Sequence, residues 1–507
     1  MLQLDWLRSR SISSPAHPAL VWREHTWTYA ELNAAVDELS GRLAAAGLRE
    51  GQRAAALLPN NPNFVMLIHA LMRLGVTIVP LNVRLKADEL RWQVERSACE
   101  WILGDGSTSA QVAELSTRAR ALVVETLPAA GSFLTHPFDL DAPLAIIHTS
   151  GTTGHPKGAV QTLGNHFYSA IASAFRLGTL PDDRWLLTIP LYHVGGLAIP
   201  LRCCLYGTTV VLPSKTNFDA ESLLDDIESY SVTMVSLVPT MLQRMMELQP
   251  SPPALPRGGR GLFSLLPPGE GPGMRVILLG GASAPLPLLE KARELNLPVA
   301  QTYGLTEAAS QVATCTPEQT RAKPGCAGSP LMFTSVRIEN EQGEPLPPGE
   351  IGEIVVSGST VMREYDQNPD ATAKTLRNGA LHTGDLGYLD ADGDLWVVTR
   401  RSDLIVTGGE NVYPAEVERV LLEHPSVWEA CVVGVDDIQW GQKVAAAVTL
   451  KNGEQATGEK IQAFCREKLA GYKIPREVRI VESLPMTASG KIQRGEVQKL
   501  FREEIKR

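Results

Sequence analysis

The sequence predicts an α/β protein with a large N-terminal domain of layered sheets and helices and a small C-terminal α+β domain. Three observations lead to this fold class. The chain has 507 residues, which is too long for one compact core. Segments with strand and helix periodicity alternate through roughly the first 400 residues, and the pattern changes over the last hundred. We therefore expect one domain at residues 1–400 and a second at 401–507.

The N-terminal segments show this alternation in order. Residues 28–47, TYAELNAAVDELSGRLAAAG, predict a helix that begins with a capping box from Thr28 to Glu31 and ends at Gly47. RAAALLP predicts a strand, NFVMLIHALMRLG a helix and VTIVPL the next strand. Further on, MRVILLGG predicts a strand and LPLLEKARELN a helix. Such alternation indicates largely parallel sheets covered by helices.

The last hundred residues predict a separate set of elements. PAEVERVLLEHP and GEKIQAFCREKLAGY have the spacing of amphipathic helices, and EACVVGV, KVAAAVTL and REVRIVE that of strands. Within the large domain, residues 255–273 are rich in glycine and proline, which indicates a surface excursion.

Composition excludes several classes of protein. The net charge of −9 argues against a general nucleic-acid or membrane-surface binder. The longest apolar stretch is interrupted by Arg73 and Gly75, and the N-terminus lacks the apolar core of a signal peptide. Seven cysteines lack CxxC spacing, and Cys203 and Cys204 are adjacent, so we expect reduced thiols and a cytoplasmic protein.

A loop at residues 148–161, HTSGTTGHPKGAVQ, follows the apolar segment APLAII. It contains glycines, hydroxyl residues and Lys157, but not the spacing of a P-loop. Glycines allow backbone N–H groups to approach phosphate oxygens, hydroxyls donate further hydrogen bonds, and lysine supplies positive charge. We expect this loop to hold the polyphosphate of ATP.

Five motifs in order give the chain its resemblance to a known family. TSGTTGHPKG is followed by YGLTE at 303–307, HTGD at 382–385, TRRSDLIVTGGENVYPAEVE at 399–418 and PMTASGKIQR at 485–494. Together they resemble the adenylate-forming superfamily of acyl-CoA synthetases, adenylation domains and luciferases. The resemblance implies ATP, Mg²⁺ and coenzyme A as ligands and activation of a carboxylate as an acyl adenylate.

The resemblance also implies which residues bind the nucleotide. Tyr303 stacks on adenine, Gly281 and Ala282 form the other wall of the adenine slot, Thr306 contacts the α-phosphate and Glu307 coordinates Mg²⁺. The β- and γ-phosphates are held by the phosphate loop, which comprises Thr149, Ser150, Gly151, Thr152, Thr153, Gly154 and Lys157.

Further assignments concern the ribose and the C-terminal domain. Asp385 receives both ribose hydroxyls and Arg400 assists it. Lys491 contacts the carboxylate and the α-phosphate during adenylate formation. The resemblance implies that the small domain rotates about Ser402, where many relatives have Asp or Lys. Gly408 and Gly409 line the coenzyme A tunnel.

The acyl pocket is predicted around PLYHVGGLAIPLR. His193 resembles a gate residue beside the acyl site, and Gly195 and Arg202 are seven residues apart, which places them on one side of a helix. An arginine in a pocket suits a second carboxylate. KGAVQTLGNHFYSAIASA, HVGGLAIPLR and QTYGLTEAASQVAT resemble the 2-succinylbenzoate–CoA ligases of menaquinone biosynthesis, although Gly195 replaces a serine common there.

Several alternatives stay open at this point. A medium-chain fatty acid or aryl carboxylate–CoA ligase is the second reading of the acyl pocket. A luciferase-like oxidase and a non-catalytic nucleotide-binding protein are more remote readings, and amino-acid activation is disfavoured because no acidic residue lies near 193–202. The expected partners are a small carboxylate, ATP and coenzyme A, with no nucleic acid and no membrane span. A homodimer is left open.

Overall fold

A computed structural model of the chain describes residues 2–3, 5–116, 118–149, 156–248, 273–400, 403–407, 410–437, 440–469, 471–487 and 492–501. Within these ranges, none of the helices combines the length and the apolar character needed to cross a bilayer. Most of residues 255–273, predicted as a surface excursion, lies outside the described residues.

The first large sheet has seven described strands and carries the phosphate loop. In spatial order these are β20 (Glu364–Tyr365), β10 (Lys157–Thr162), β9 (Pro143–Thr149), β5 (Thr77–Pro80), β4 (Arg53–Leu57), β6 (Trp101–Gly104) and β7 (Arg120–Val123). Strands β9, β5, β4, β6 and β7 are parallel, whereas β10 is antiparallel to both β9 and β20.

The second large sheet has nine described strands, mostly parallel. Its spatial order is β17 (Ser329–Pro330), β16 (Ala313–Thr314), β15 (Val299–Tyr303), β14 (Val276–Leu279), β13 (Met234–Leu237), β11 (Arg184–Leu186), β12 (Thr209–Val211), β2 (Pro18–Trp22) and β3 (His25–Thr28). The six central strands from β15 to β2 are parallel, and the strands at both edges are antiparallel.

The described part of the chain contains fifteen helices. They are α1 (Trp6–Ser13), α2 (Tyr29–Ala46), α3 (Pro62–Arg73), α4 (Ala87–Arg96), α5 (Ser109–Leu115), α6 (Leu163–Leu177), α7 (Val194–Tyr206), α8 (Ala220–Ser229), α9 (Pro239–Glu247), α10 (Leu286–Glu294), α11 (Pro317–Ala322), α12 (Pro369–Thr375), α13 (Pro414–Leu422), α14 (Gly458–Arg466) and α15 (Arg494–Leu500). Helix α2 begins with the predicted capping box and ends at Gly47, which has a φ of +111°.

The two large sheets and their helices form layers. Successive residues of β4 show why: Ala54 and Ala56 belong to the central core with α2, α3 and α7, while Ala55 and Leu57 belong to an outer core with α4 and α5. Side chains of a strand alternate between the two faces of its sheet, so both faces must be covered. Helices α8, α9 and α10 cover the outer face of the nine-stranded sheet.

A third sheet is antiparallel and lies later in the chain. Its described strands are β18 (Thr334–Glu339), β19 (Gly352–Gly358), β21 (Leu376–Arg377), β22 (Ala380–Leu389) and β23 (Leu395–Arg400). A short pair, β1 (Leu2–Gln3) with β8 (Phe138–Asp139), lies near the N-terminus. The third sheet places the HTGD motif in β22, next to the end of β23.

The last described segment folds around its own sheet. The strands are β24 (Ile405–Thr407), β25 (Glu410–Val412), β26 (Val427–Asp437), β27 (Gly441–Leu450) and β28 (Glu477–Ile480). One face of β26 and β27 packs with α13 and α14, and the other face packs with α15. The helices and strands predicted for this region are confirmed, as is the mixed α/β fold with a large and a small part.

Candidate active site

The phosphate loop joins two paired strands of the seven-stranded sheet. Thr149 ends β9 and is the cross-strand partner of Lys157, which begins β10. The Thr149 hydroxyl donates to the carbonyl oxygen of Lys157 across 3.3 Å. The hydroxyl and glycine residues between them, Ser150, Gly151, Thr152, Thr153 and Gly154, lie outside the described residues. The two ends of the predicted loop are therefore adjacent at the end of a buried strand.

The adenine residues of the sequence prediction lie at the carboxyl ends of two neighbouring parallel strands. Gly281 and Ala282 follow β14, and Tyr303 ends β15. Both Gly281 and Ala282 are exposed, with Gly281 at a φ of +80°. The carboxyl ends of adjacent parallel strands form one edge, which is where α/β sheets bind ligands. The structure thus brings these three residues to one edge of the nine-stranded sheet.

The chain turns sharply directly after β15. A Cβ atom added at Gly304 would lie 1.5 Å from the carbonyl oxygen of Ser310, so a side chain cannot be placed there without moving the backbone. The turn then forms a short 3₁₀ segment, Thr306–Ala308, followed by Ala309 and Ser310 at φ values of +49° and +92°. This conformation sets the positions of Thr306 and Glu307.

Tyr365 links the Glu307 carboxylate to Lys157. The Tyr365 hydroxyl donates to Oε1 of Glu307 across 2.7 Å, because a carboxylate can only accept. Nζ of Lys157 lies 5.1 Å from the centroid of the Tyr365 ring. Tyr365 is paired with Ala159, which shares a face of β10 with Lys157. The predicted metal carboxylate and the predicted phosphate lysine therefore flank one buried phenol.

The two ribose candidates are neighbours on paired strands. Asp385 in β22 is the cross-strand partner of Arg400 in β23. The Tyr303 hydroxyl donates to Oδ2 of Asp385 across 2.6 Å, and the Asp385 N–H donates to the Thr383 hydroxyl. The third sheet therefore places Asp385 against the end of β15, although the two residues are 82 positions apart in sequence.

The predicted acyl pocket lies around the start of helix α7. His193 is the N-cap residue, and its N–H donates to the carbonyl oxygen of Pro190 across 2.9 Å. A Cβ added at Gly196 would lie 2.1 Å from that same oxygen, so packing requires glycine there. At Gly195 the nearest atom to an added Cβ is Cγ2 of Ile189 at 3.8 Å, so a serine would fit. Packing does not dictate the glycine at 195, and the space beside it is open.

Arg202 lies two turns further along α7 and is only 2% exposed. Its Nη2 donates to the Ser169 hydroxyl across 3.1 Å, while its Nε has no hydrogen-bond partner among the described residues. Burial lowers the pKa of Arg202, and the groups that oppose this shift are the Tyr206 phenol and the Cys203 thiol. A buried guanidinium is costly unless an anion neutralises it.

Arg73, in helix α3, provides a comparison within the same domain. It is also fully buried, but it forms ion pairs with Asp5 at 2.5 Å and Asp37 at 3.0 Å. Within the described residues, Arg202 has no such carboxylate. Arg202 is therefore a buried cation with hydrogen-bonding capacity left for an anionic ligand.

The predictions for the C-terminal segment concern a catalytic lysine, a hinge and the coenzyme A tunnel. Lys491, Ser402, Gly408 and Gly409 lie outside the described residues. The segment after Lys491 is anchored by Arg494, which donates to both carboxylate oxygens of Glu418 and, across 2.7 Å, to the carbonyl oxygen of Val432.

Asp390, Asp392 and Asp394 are close enough to one another to hold a metal ion. However, Nζ of Lys323 already donates to all three carboxylates at 2.7–2.8 Å. The three carboxylates already share one ammonium group as their partner, and Glu307 stays the carboxylate predicted to coordinate Mg²⁺.

Four described residues at the site have no counterpart in the sequence predictions. They are Gln161, His166, Ser169 and Tyr365. Gln161 could have been noticed in the sequence, because it lies in the strand KGAVQT among buried residues. A buried glutamine needs hydrogen-bond partners.

The comparisons with known proteins agree with this geometry. The sequence profile of the AMP-binding enzyme family matches residues 8–366, and that of the AMP-binding enzyme C-terminal domain matches residues 416–491. The chain belongs to the AMP-binding enzyme family. It is 42% identical over 498 residues to the 2-succinylbenzoate–CoA ligase of Geobacillus kaustophilus, an alignment that covers 98% of each chain.

Solved structures give the same result. The chain is similar to o-succinylbenzoate CoA synthetase from Bacillus subtilis in complex with the acyl-adenylate intermediate OSB-AMP, with a TM-score of 0.89, 40% identity and 98% of both chains covered. It is similar to the same enzyme in complex with ATP and magnesium ion, with a TM-score of 0.88 at 40% identity, covering 98% of this chain and all of the other.

Proposed function

We propose that this chain is an ATP-dependent 2-succinylbenzoate–CoA ligase. It converts the acid and ATP to an acyl adenylate and pyrophosphate, and then transfers the acyl group to coenzyme A with release of AMP. The substrate assignment depends on Arg202. Its guanidinium is buried, and its Nε donor has no hydrogen-bond partner among the described residues. Relatives and solved structures of this specificity align over almost the whole chain.

The second carboxylate of the acid binds at Arg202. 2-Succinylbenzoate has two carboxylates, one of which is activated while the other must be held. A carboxylate paired with a buried guanidinium forms charge-assisted hydrogen bonds and relieves the cost of the isolated charge. His193 and Gly195, at the start of the same helix, border the aromatic part of the acid.

Adenylate formation requires a carboxylate to approach a polyphosphate. The carboxylate oxygen attacks the α-phosphorus, the bond to the β-phosphate oxygen breaks, and pyrophosphate leaves. Fixed positive charge and positioning stabilise this transition state. Lys157 and the hydroxyls of the phosphate loop hold the β- and γ-phosphates, Thr306 contacts the α-phosphate, and Lys491 contacts both the carboxylate and the α-phosphate.

We also propose the remaining nucleotide contacts, which the position of these residues at one edge of the sheet supports. Tyr303, Gly281 and Ala282 form the adenine slot, and Asp385 accepts hydrogen bonds from the ribose hydroxyls with Arg400 beside it. Glu307 presents one carboxylate oxygen to Tyr365, which leaves the other for Mg²⁺. When bound, Mg²⁺ supplies positive charge to the phosphates.

The second half-reaction uses the C-terminal domain differently. We place the domain boundary at residues 400–401 with Ser402 as the hinge, and Gly408 and Gly409 beside the pantetheine of coenzyme A. The thiolate attacks the acyl carbonyl and AMP leaves. The Lys491→Ala variant should therefore lose adenylate formation and retain thioester formation from a supplied adenylate. Loss of both half-reactions to the same extent, or of neither, would contradict the assignment.

The cellular setting of the enzyme is also proposed. All seven cysteines are buried free thiols, which suits a reducing compartment such as the cytoplasm. A homodimer is one arrangement to test by sedimentation.

A panel of carboxylates tests the function. In ATP–pyrophosphate exchange, we expect 2-succinylbenzoate to be used far better than benzoate, octanoate or acetate, and AMP release to require coenzyme A. A preference for octanoate or benzoate would identify a different acyl-CoA ligase. Oxygen-dependent light emission would identify a luciferase-like oxidase, and no exchange with any acid would identify a nucleotide-binding protein.

The Arg202→Met variant tests the second carboxylate. Losing a charge-assisted hydrogen bond should cut the preference for 2-succinylbenzoate over benzoate by roughly 10- to 100-fold, or about 1.5–3 kcal/mol. The matched control is Arg176→Met, because Arg176 lies on the neighbouring helix α6 and donates to the carbonyl oxygen of Thr314. An unchanged preference in Arg202→Met would overturn the role of Arg202.

A further inference from the structure

The turn that carries Thr306 and Glu307 is hydrogen-bonded at both ends by side chains from the acyl side of the site. The carbonyl oxygen of Thr306 accepts from Nε2 of Gln161 across 2.6 Å. The carbonyl oxygen of Ala309 accepts from the Ser169 hydroxyl across 2.8 Å. From Ser169 the hydrogen bonds continue to Arg202 on helix α7. From Gln161 they continue to His166 on helix α6.

The first chain runs directly to the buried arginine. Nη2 of Arg202 donates to the Ser169 hydroxyl, so the single hydroxyl hydrogen of Ser169 is directed to Ala309. A guanidinium has no acceptor, and the direction of this chain is therefore fixed from Arg202 to the turn. Ser169 is 1% exposed and Ala309 is fully buried, so water does not substitute for either bond.

The second chain passes through an imidazole on the same helix. Nε2 of His166 contacts Oε1 of Gln161 at 2.6 Å, and an amide oxygen can only accept, so the ring donates. Burial, reinforced by the positive charge of Arg202, lowers the pKa of His166 to about 3 and keeps the ring neutral. The buried ring of His166 thus interacts with both the Arg202 charge and the Gln161 amide.

The turn held by these chains is not a relaxed one. Ala309 and Ser310 both have positive φ, a backbone conformation that costs non-glycine residues of order 1–3 kcal/mol each. The turn persists because its surroundings fix it, and Ser169 and Gln161 supply two of those contacts. A change in the hydrogen bonding of Arg202 therefore alters the hydrogen bond from Ser169 that stabilises the backbone around Thr306 and Glu307.

We propose that Ser169 is a positioning residue that couples carboxylate binding at Arg202 to nucleotide binding at the Thr306–Glu307 turn, the other end of which is held by Gln161. This rests on the proposed function, because it needs a ligand carboxylate at Arg202. Binding of the acid reorients the guanidinium and stabilises the Ser169 bond to Ala309, so the nucleotide binds more tightly. By thermodynamic linkage, the nucleotide increases the affinity for the acid by the same factor.

Calorimetry with a non-reacting nucleotide tests the coupling. The affinity of α,β-methylene-ATP with Mg²⁺ is measured alone, with 2-succinylbenzoate and with benzoate. In the native protein, 2-succinylbenzoate should tighten nucleotide binding about fivefold or more, and benzoate should have little effect. In Ser169→Ala the factor should fall to about one, whatever the change in affinity for each ligand alone.

The matched control is Ser173→Ala, because Ser173 is a buried serine one turn further along the same helix. Its hydroxyl interacts with the Tyr206 phenol and, among the described residues, makes no hydrogen bond to the Thr306–Ser310 turn, so this variant should keep the native factor. Two results would overturn the coupling and leave the proposed function standing. One is that benzoate tightens nucleotide binding to the native protein as much as 2-succinylbenzoate does. The other is that 2-succinylbenzoate still tightens nucleotide binding to Ser169→Ala by the native factor. Failure of the native protein to bind 2-succinylbenzoate would overturn the proposed function as well.

Discussion

The hydroxyl of Tyr303 donates a hydrogen bond to Oδ2 of Asp385 across 2.6 Å. Tyr303 ends a strand of the nine-stranded sheet, and Asp385 lies in the third sheet. Asp385 is 7% exposed, so its carboxylate depends on protein donors and on a ligand for its hydrogen bonds. This hydrogen bond thus links the residue proposed to contact adenine to the residue proposed to contact the ribose.

The Tyr303→Phe variant should weaken nucleotide binding through Asp385. Phenylalanine keeps the ring that is proposed to contact adenine and removes the donor to the carboxylate. Losing a hydrogen bond to a charged group costs about 1.5–3 kcal/mol, so the KM for ATP should rise at least tenfold. ATP–pyrophosphate exchange measures this, with the KM for the acid as the internal control. A rise in the KM for the acid alone would contradict a role of the Tyr303–Asp385 hydrogen bond in nucleotide binding.

The Tyr365→Phe variant should raise the requirement for Mg²⁺. It removes the hydrogen bond that fixes Oε1 of Glu307 and keeps the ring beside Lys157. Losing a hydrogen bond to a charged group costs about 1.5–3 kcal/mol, so the Mg²⁺ concentration for half-maximal exchange should increase roughly tenfold or more. Tyr388→Phe is the control, since Tyr388 stacks on Trp396. An identical Mg²⁺ dependence in all three proteins would show that Tyr365 does not position Glu307.

His148 should make the protein less stable in acid. The residue lies directly before the phosphate loop, its Nε2 contacts the Ser97 hydroxyl at 2.9 Å, and burial lowers its pKa from 6.5 to about 4. The unfolded chain therefore takes up a proton below pH 6.5 that the folded chain takes up only near pH 4. The free energy of unfolding falls as the pH drops through this window, by about 3 kcal/mol in full.

The His148→Gln variant isolates that contribution, because glutamine can still hydrogen-bond Ser97 but does not titrate. Urea unfolding at pH 7 and pH 5 should show a loss of stability that is about 2 kcal/mol smaller in the variant. His69 and His166, which are also buried with lowered pKa values, remain in both proteins and contribute equally to both losses. Equal losses in the two proteins would rule out His148 as a source of acid sensitivity.

Arg494 should anchor the segment that follows Lys491. The Arg494→Met variant leaves the Glu418 carboxylate, only 15% exposed, without its bidentate partner, which should cost about 3 kcal/mol. Hydrogen exchange in helix α13 and strand β26 should then accelerate, and adenylate formation should slow. Adding Glu418→Gln to Arg494→Met should recover part of the loss, because the unpaired charge is removed. A double variant less stable than Arg494→Met would refute this account of the anchor.

Sequence reasoning worked well where structure depends on residues close in the chain. The capping box at Thr28, the end of α2 at Gly47 and the alternation of strands with helices are confirmed because capping and periodicity are local. The membership in the adenylate-forming family and the 2-succinylbenzoate specificity agree with the comparisons. The assignments of individual site residues remain predictions, although the structure brings Tyr303 and Asp385 together.

Sequence reasoning could not find contacts between distant segments. Tyr365 meets Glu307 across 58 positions and Ser169 meets Ala309 across 140, and no local pattern marks either pair. Arg202 was predicted to lie in the acyl pocket, but helical spacing gives only the side of a helix and not the depth or the hydrogen-bond partners of a side chain. These relationships exist only after the two large sheets are packed against each other.

The sequence by itself determined the elements, the order of the motifs and the chemistry they offer, because each depends on neighbours a few residues apart. The tertiary structure decided which polar groups are cut off from water and must find partners across the molecule. Desolvation is the physical reason, because a hydroxyl, amide or guanidinium in the core is stable only where another buried group or a ligand meets it.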